Sequence, residues 1–180
     1  MAIEIEKKFR LTKKQREAIL ARLPEIGATL KATELEENTI YGGDQVDLNC
    51  SVIRLRRVGN RAILTYKERL QSRSTIKHQQ EDETEVSDAD AMDAILQALG
   101  LFPTLVYEKK RMRWQLGGAE IVVDDLPFGL FMEIEASEAE IDEIEHRLAI
   151  KGLKVEIETY PRLTRKNGKQ IGTRIEARFD

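Results

Sequence analysis

The sequence predicts an α+β fold: an eight-stranded antiparallel closed β-barrel with helices packed outside it. Three observations carry this. Segment after segment alternates polar and apolar residues at a period of two. Pairs of these segments are joined by Gly59-Asn60 and Gly117-Gly118, two-residue turns that read as hairpins. Charged residues also recur at i, i+2 on one face of strand after strand, more regularly than scattered surface charge would.

The elements follow in order. Residues 1–10 alternate Ile3, Ile5 and Phe9 with Glu4, Glu6 and Lys8, a β-strand. Thr12 is placed to cap a helix whose apolar side is Ala18, Ile19, Ala21 and Leu23, with Pro24 and Gly27 as stop signals. An extended segment runs to Tyr41, and Gly42-Gly43-Asp44 marks a turn. Ser51–Val58 and Arg61–Arg69 form the first hairpin, and residues 71–77 read as a polar, mobile loop. A strand over 80–86 leads to a helix capped near Asp88 and ended by Gly100. The second hairpin spans 105–116 and 119–125, and Pro127-Phe128-Gly129 turns the chain into a strand over 130–136. Ser137 caps a helix over 138–150. A short strand at 153–157 and a frayed, solvated tail complete the expectation: one domain over 1–160 and a basic C-terminal tail over 161–180.

Composition removes several classes of function. The chain has 180 residues, enough for one domain with a sizeable core, and 34% of them are charged. With 29 Lys and Arg against 32 Asp and Glu, it lacks the dominant positive field of a non-specific nucleic-acid binder, so no nucleic-acid partner is expected. A single Cys50 allows no internal disulfide and no Cys-rich metal site, and His78 and His146 are too few for a histidine cluster. No apolar run is long enough to span a membrane and no apolar leader opens the chain, so a cytoplasmic protein without a membrane partner is expected.

One face of each strand carries the chemistry. In phase stand Glu4, Glu6 and Lys8; Arg54 and Arg56; Lys67; Glu81, Glu83 and Glu85; Lys109, Arg111 and Arg113; Asp124; and Glu133 with Glu135. Lys7, Lys110 and Arg57 fall on the opposite parity and read as surface residues. An open antiparallel sheet with helices on its apolar face and water on the other would carry the same pattern. In a closed barrel the charged faces point inward, and so many buried ionisable groups are tolerable only if they pair and bind something. Arg and Lys suit phosphate oxygens, and carboxylates without His or Cys suit Mg²⁺ or Mn²⁺, hard cations that bridge to phosphates. A metal–polyphosphate complex answers both signs. Trp114 and Phe128 offer stacking surfaces for a ring but are more often packing under helices, and Tyr160 is poised between a reach toward the barrel and packing.

These residues resemble the CYTH superfamily, the triphosphate tunnel metalloenzymes, which include class IV adenylate cyclases, thiamine triphosphatases and inorganic triphosphatases. Glu4-Ile5-Glu6-Lys7-Lys8 is similar to its ExExK signature. The resemblance continues through Ile53-Arg54-Leu55-Arg56, Thr65-Tyr66-Lys67 and Glu81-x-Glu83, then Glu108-Lys109-Lys110-Arg111, Val123-Asp124 and Phe131-Met132-Glu133-Ile134-Glu135. It implies a tunnel that binds a triphosphate-containing small molecule. Lys8, Arg54, Arg56, Lys67, Lys109 and Arg111 would grip the phosphates, with Arg113 at the mouth. Of these, Lys8, Lys67, Lys109 and Arg111 would stabilise the reacting charge. Glu4, Glu6, Glu133 and Glu135 would hold Mg²⁺ or Mn²⁺, helped by Asp124 and by Glu81, Glu83 and Glu85, of which the motif needs two. The chain departs from the family at Gln79, where Arg is frequent, and at Asn38, where the segment before Tyr41 often carries Asp.

The activity this implies is metal-dependent hydrolysis of a linear triphosphate. A class IV adenylate cyclase, forming cyclic AMP and pyrophosphate, and a non-catalytic polyphosphate-binding module remain the alternatives. The oligomeric state is left open, a homodimer being one candidate.

Overall fold

Alternation builds the strands, and pairing closes them into a ring. The computed structural model describes residues 2–44, 46–48, 50–69 and 76–180. Its strands are β1 (Ala2–Leu11), β2 (Thr29–Gly42), β3 (Ser51–Val58), β4 (Arg61–Arg69), β5 (Lys77–Val86), β6 (Phe102–Leu116), β7 (Ala119–Leu126), β8 (Gly129–Glu135), β9 (Lys169–Ile171) and β10 (Arg174–Ala177). The sheet runs β2-β3-β4-β5-β1-β8-β7-β6, and β2 also pairs with β6, so eight antiparallel strands form a closed barrel as expected. Beyond β6 the sheet continues into β10, parallel to it, and β9.

Closure puts the charged faces inside and the apolar faces under helices. Against the barrel lie α1 (Lys13–Glu25), α2 (Ala89–Ala98), α3 (Glu138–Arg147) and α4 (Tyr160–Asn167). Thr12 and Ser137 cap α1 and α3, each completing a capping box with Gln15 or Glu140. Ile19, Leu23, Ile141 and Ile144 pack on Phe9, Ile121, Val123, Met132 and Ile134, the outward residues of β1, β7 and β8. Each such buried side chain contributes about 1.5–3 kcal/mol. Leu96 of α2 covers Leu55 and Ala62 in the same way.

Several expectations are corrected. Strand β5 begins at Lys77, not at residue 80, because Lys77 pairs with Glu6 and Gln79 with Glu4 across the β1 edge. Of the loop expected at 71–77, residues 71–75 lie outside the described residues. Strand β6 starts at Phe102, held by β2. Helix α3 stops at Arg147, since the chain turns left-handed at Ala149 (φ 56°). The strand expected at 153–157 is a single bridge, Phe9 to Val155. Lys7 is half-buried rather than a bare surface residue: it pairs with Glu145 of α3. Pro24 sits inside the last turn of α1, which runs one residue beyond it to Glu25 with Ile26 as its C-cap.

The expected frayed tail is folded. Thr159 caps α4, whose Tyr160 and Leu163 pack with Ile40, Leu105 and Phe131. These three are in phase with Asn38, Tyr107 and Glu133 on their strands, so apolar side chains under α4 fill one end of the barrel. Ala177 of β10 joins the same cluster.

Candidate functional site

The inward faces enclose a cavity of about 330 Å³. Ten Lys or Arg and seven Glu line it, a surplus of positive charge suited to an anion. Of the fifteen residues singled out in the sequence, all but Asp124 and Glu85 line this one space. Glu85 is exposed toward the end of β5 and stands apart from it. Asp124 is fully buried in the wall and does not face open space.

The carboxylates are held by cations. Lys67 Nζ lies 2.6 Å from Glu4 Oε2 and 3.0 Å from Glu81 Oε2, and Gln79 Nε2 donates to Glu4 at 2.8 Å. Lys77 Nζ donates to Glu6 Oε1 at 2.8 Å. Glu133 is bridged by Lys8 at 3.1 Å and by Arg111 Nη2 at 2.8 Å. Lys8 sits 3.8 Å from the Tyr160 ring centroid and donates to Glu158 O, so the chain entering α4 helps to seat it. Arg113 pairs with Glu120 at the cavity wall.

Behind them lies a fixed counter-charge. Arg111 forks onto Asp124, and Tyr160 Oη donates to Asp124 Oδ2 at 2.8 Å. Glu36, entirely buried, stands 3.3 Å from Lys109 and 3.5 Å from Arg56. The sequence reading missed Glu36, Lys77 and Glu120, although Glu36 and Asn38 share the i, i+2 phase, as do Lys77, Gln79 and Glu81. Asn38 turns its amide to Glu36 Oε2. Trp114 packs outside the barrel and Phe128 packs near Phe131, so neither lines the cavity.

Proton affinities divide the carboxylates into two sets. Burial pushes Glu4 up, but the Lys67 charge and hydrogen bonds with Glu81, Lys67 and Gln79 together more than offset it and hold the pKa at about 2. Burial likewise opposes ionisation of Glu133, yet Lys8 and Arg111 hold it well below the ordinary range. By contrast, burial and a hydrogen bond with Glu4 raise Glu81 to about 7. Burial and the Glu4 charge raise Glu135 to about 8. Burial, then Arg111, lowers Lys109 to about 8, and burial, then Lys8, lowers Lys77.

Two features test what the cavity fits. Arg54 and Arg56 are buried to within 8% and 7% exposure and line the cavity; Arg54 leaves its Nε–H donor without an acceptor, and Arg56 Nε has only the Glu36 carboxylate, 3.5 Å away and outside good hydrogen-bond geometry. Unsatisfied buried donors of this kind call for an anionic oxygen. For a cation, the donors are carboxylates alone, and burial together with the neighbouring Glu4 raises the proton affinity of Glu81 and Glu135 despite Lys67. That set fits Mg²⁺ or Mn²⁺. Among the described residues no three such donors are already gathered as a metal cage.

Comparison with known proteins agrees with this geometry. The family model described as the CYTH domain matches residues 2–160. No curated protein matches the sequence. Among solved structures, the PH1012 protein of Pyrococcus horikoshii is 26% identical with a TM-score of 0.77, covering 89% of this chain and 98% of that one. A Vibrio parahaemolyticus protein described as a candidate adenylate cyclase is 19% identical with a TM-score of 0.69, covering 89% of this chain and 97% of that one. The Hippeastrum adenylyl cyclase candidate HpAC1, described as having a dominant triphosphatase activity, is 20% identical with a TM-score of 0.69, over 94% of this chain and 98% of that one. The last two show the fold alone.

Proposed function

We propose that this chain, which belongs to the CYTH domain family, is a divalent-metal-dependent phosphohydrolase acting on a linear triphosphate held in its barrel. The observation that carries this reading is the convergence, on one cavity, of Lys8, Arg54, Arg56, Lys67, Lys109 and Arg111 with the carboxylates of Glu4, Glu6, Glu81, Glu133 and Glu135, with Arg54 Nε left without an acceptor. One group asks for phosphate oxygen and the other for a cation.

In this reading the phosphate chain lies along Arg54, Arg56, Lys67, Lys109, Arg111 and Lys8, with Arg113 at the rim. Glu4, Glu6, Glu81, Glu133 and Glu135 are the residues that would hold Mg²⁺ or Mn²⁺; Glu83 lines the cavity beside them. Asp124 acts from behind, as the counter-ion on which the Arg111 guanidinium forks. The metal, when bound, would neutralise phosphate charge and lower the pKa of an attacking water. The chain's own part is positioning and fixed positive charge where negative charge develops, the main demands of phosphoryl transfer. Lys109 and Arg111 supply that charge from buried, pre-oriented positions. Asp124, Glu36 and Tyr160 keep them there.

The test is to incubate the purified protein with tripolyphosphate, thiamine triphosphate and ATP in Mg²⁺ or Mn²⁺ and to identify the products. Orthophosphate is expected. Cyclic AMP with pyrophosphate would replace this reading by the cyclase, and tight binding without turnover would replace it by a binding module.

A further inference from the structure

Lys77 has no place in the roles above, yet it is 5% exposed and lines the cavity. It stands opposite Glu6 in the β1–β5 register and takes Glu6 as its ion-pair partner, at 2.8 Å. Among the described residues this is its one ion pair. Lys67 differs: it bridges Glu4 and Glu81 together, so it keeps a carboxylate if Glu4 is taken by another cation. Lys77 has no such reserve, because the nearby Glu133 is already bridged by Lys8 and Arg111.

We propose that Lys77 exchanges partners during loading of the cavity: its ammonium neutralises Glu6 until a divalent cation takes that carboxylate, and it then turns to the phosphate chain. The inference rests on the metal–triphosphate reading of the cavity. Its physical basis is that a buried ammonium stripped of its counter-ion is costly. A metal at Glu6 both removes that counter-ion and adds positive charge beside Lys77, so each pushes the ammonium toward an anion. Phosphate is the anion that enters with the metal. Lys77 therefore competes with metal in the empty cavity and favours triphosphate in the metal-loaded one, which makes the two ligands positively coupled through one side chain.

This predicts opposite signs for two affinities in one variant. Calorimetry would titrate Mn²⁺ alone, and tripolyphosphate in saturating Mn²⁺, into the wild-type protein, K77Q and K77R. K77Q is expected to bind Mn²⁺ roughly tenfold more tightly and tripolyphosphate roughly tenfold more weakly, with K77R close to wild type. A merely structural lysine would weaken both ligands, and that result, or an unchanged Mn²⁺ affinity, would overturn the inference. Wild-type protein that binds neither ligand would instead overturn the reading of the cavity, and this inference with it. Should K77Q not fold, wild-type protein labelled at lysine ¹³Cε gives the answer, with Mg²⁺ as the diamagnetic metal and Lys77 assigned from K77R. Its signal is expected to move on adding Mg²⁺ and again on adding tripolyphosphate; a signal that stays put sinks the idea.

Discussion

Arg111 and Asp124 form a closed fork inside the barrel, with Nε 2.7 Å from Oδ1 and Nη2 2.5 Å from Oδ2. Asp124 is entirely buried, and its Oδ2 also accepts from Tyr160. Both oxygens are thus spent on orienting the wall of the cavity. Asp124→Asn removes the negative charge and leaves Arg111 and Lys109 under-compensated in a buried site. A loss of about 3–5 kcal/mol in chemical denaturation is expected. Near-wild-type stability would show that the fork is not a structural ion pair.

Leu163 tests whether the C-terminal residues belong to the core. It is 4% exposed and packs with Tyr160, Phe131 and Leu105 at the closed end of the barrel. Leu163→Ala should lower stability by about 2–5 kcal/mol, read as a shift in denaturant midpoint. A frayed tail would give no shift.

Lys109 sets an alkaline limit on substrate capture. Its pKa in the empty cavity is about 8, lowered by burial and then by Arg111. The ammonium is the form that attracts phosphate, so kcat/KM should fall as pH rises through 8, approaching about tenfold per unit above it. Lys109→Arg should carry the limb out of the measurable range, because a guanidinium keeps its proton.

Metal affinity should run the other way. Glu81 and Glu135 hold protons up to about 7 and about 8, and a metal must displace them. Binding of Mg²⁺ is expected to strengthen from pH 6 to 8.5, by at most about tenfold per unit for each proton released. Calorimetry in buffers of different ionisation enthalpy would count those protons. Glu135→Gln should flatten the profile; an unaltered slope would remove Glu135 from the metal set.

Much of the site was legible because strand alternation is a local property. Side chains two residues apart on a strand share a face whatever the rest of the chain does, so Glu4, Glu6 and Lys8 could be grouped before any pairing was known. The same parity put Arg54 with Arg56 and Lys109 with Arg111, and each of these residues lines the cavity.

Parity does not say how far along a strand the enclosed space reaches. Barrel register places Glu85 beyond the cavity and turns Asp124 into a partner for Arg111. It also draws Lys77 into a strand because Glu6 lies across from it. Glu36 is buried between Lys109 and Arg56, which come from two other strands.

The sequence by itself determined which face of most strands carries the charges, the two hairpins, and the caps at Thr12 and Ser137, all set by residues within a few positions of one another. Tertiary structure alone decided which carboxylates stay paired, which take up protons, and that residues beyond 160 close one end of the barrel. The reason is range. Ile175 pairs with Leu105, and Tyr160 reaches Asp124, across stretches of chain over which no local periodicity carries information. Burial then fixes the charge states, because desolvation and neighbouring ions act only once distant strands have met.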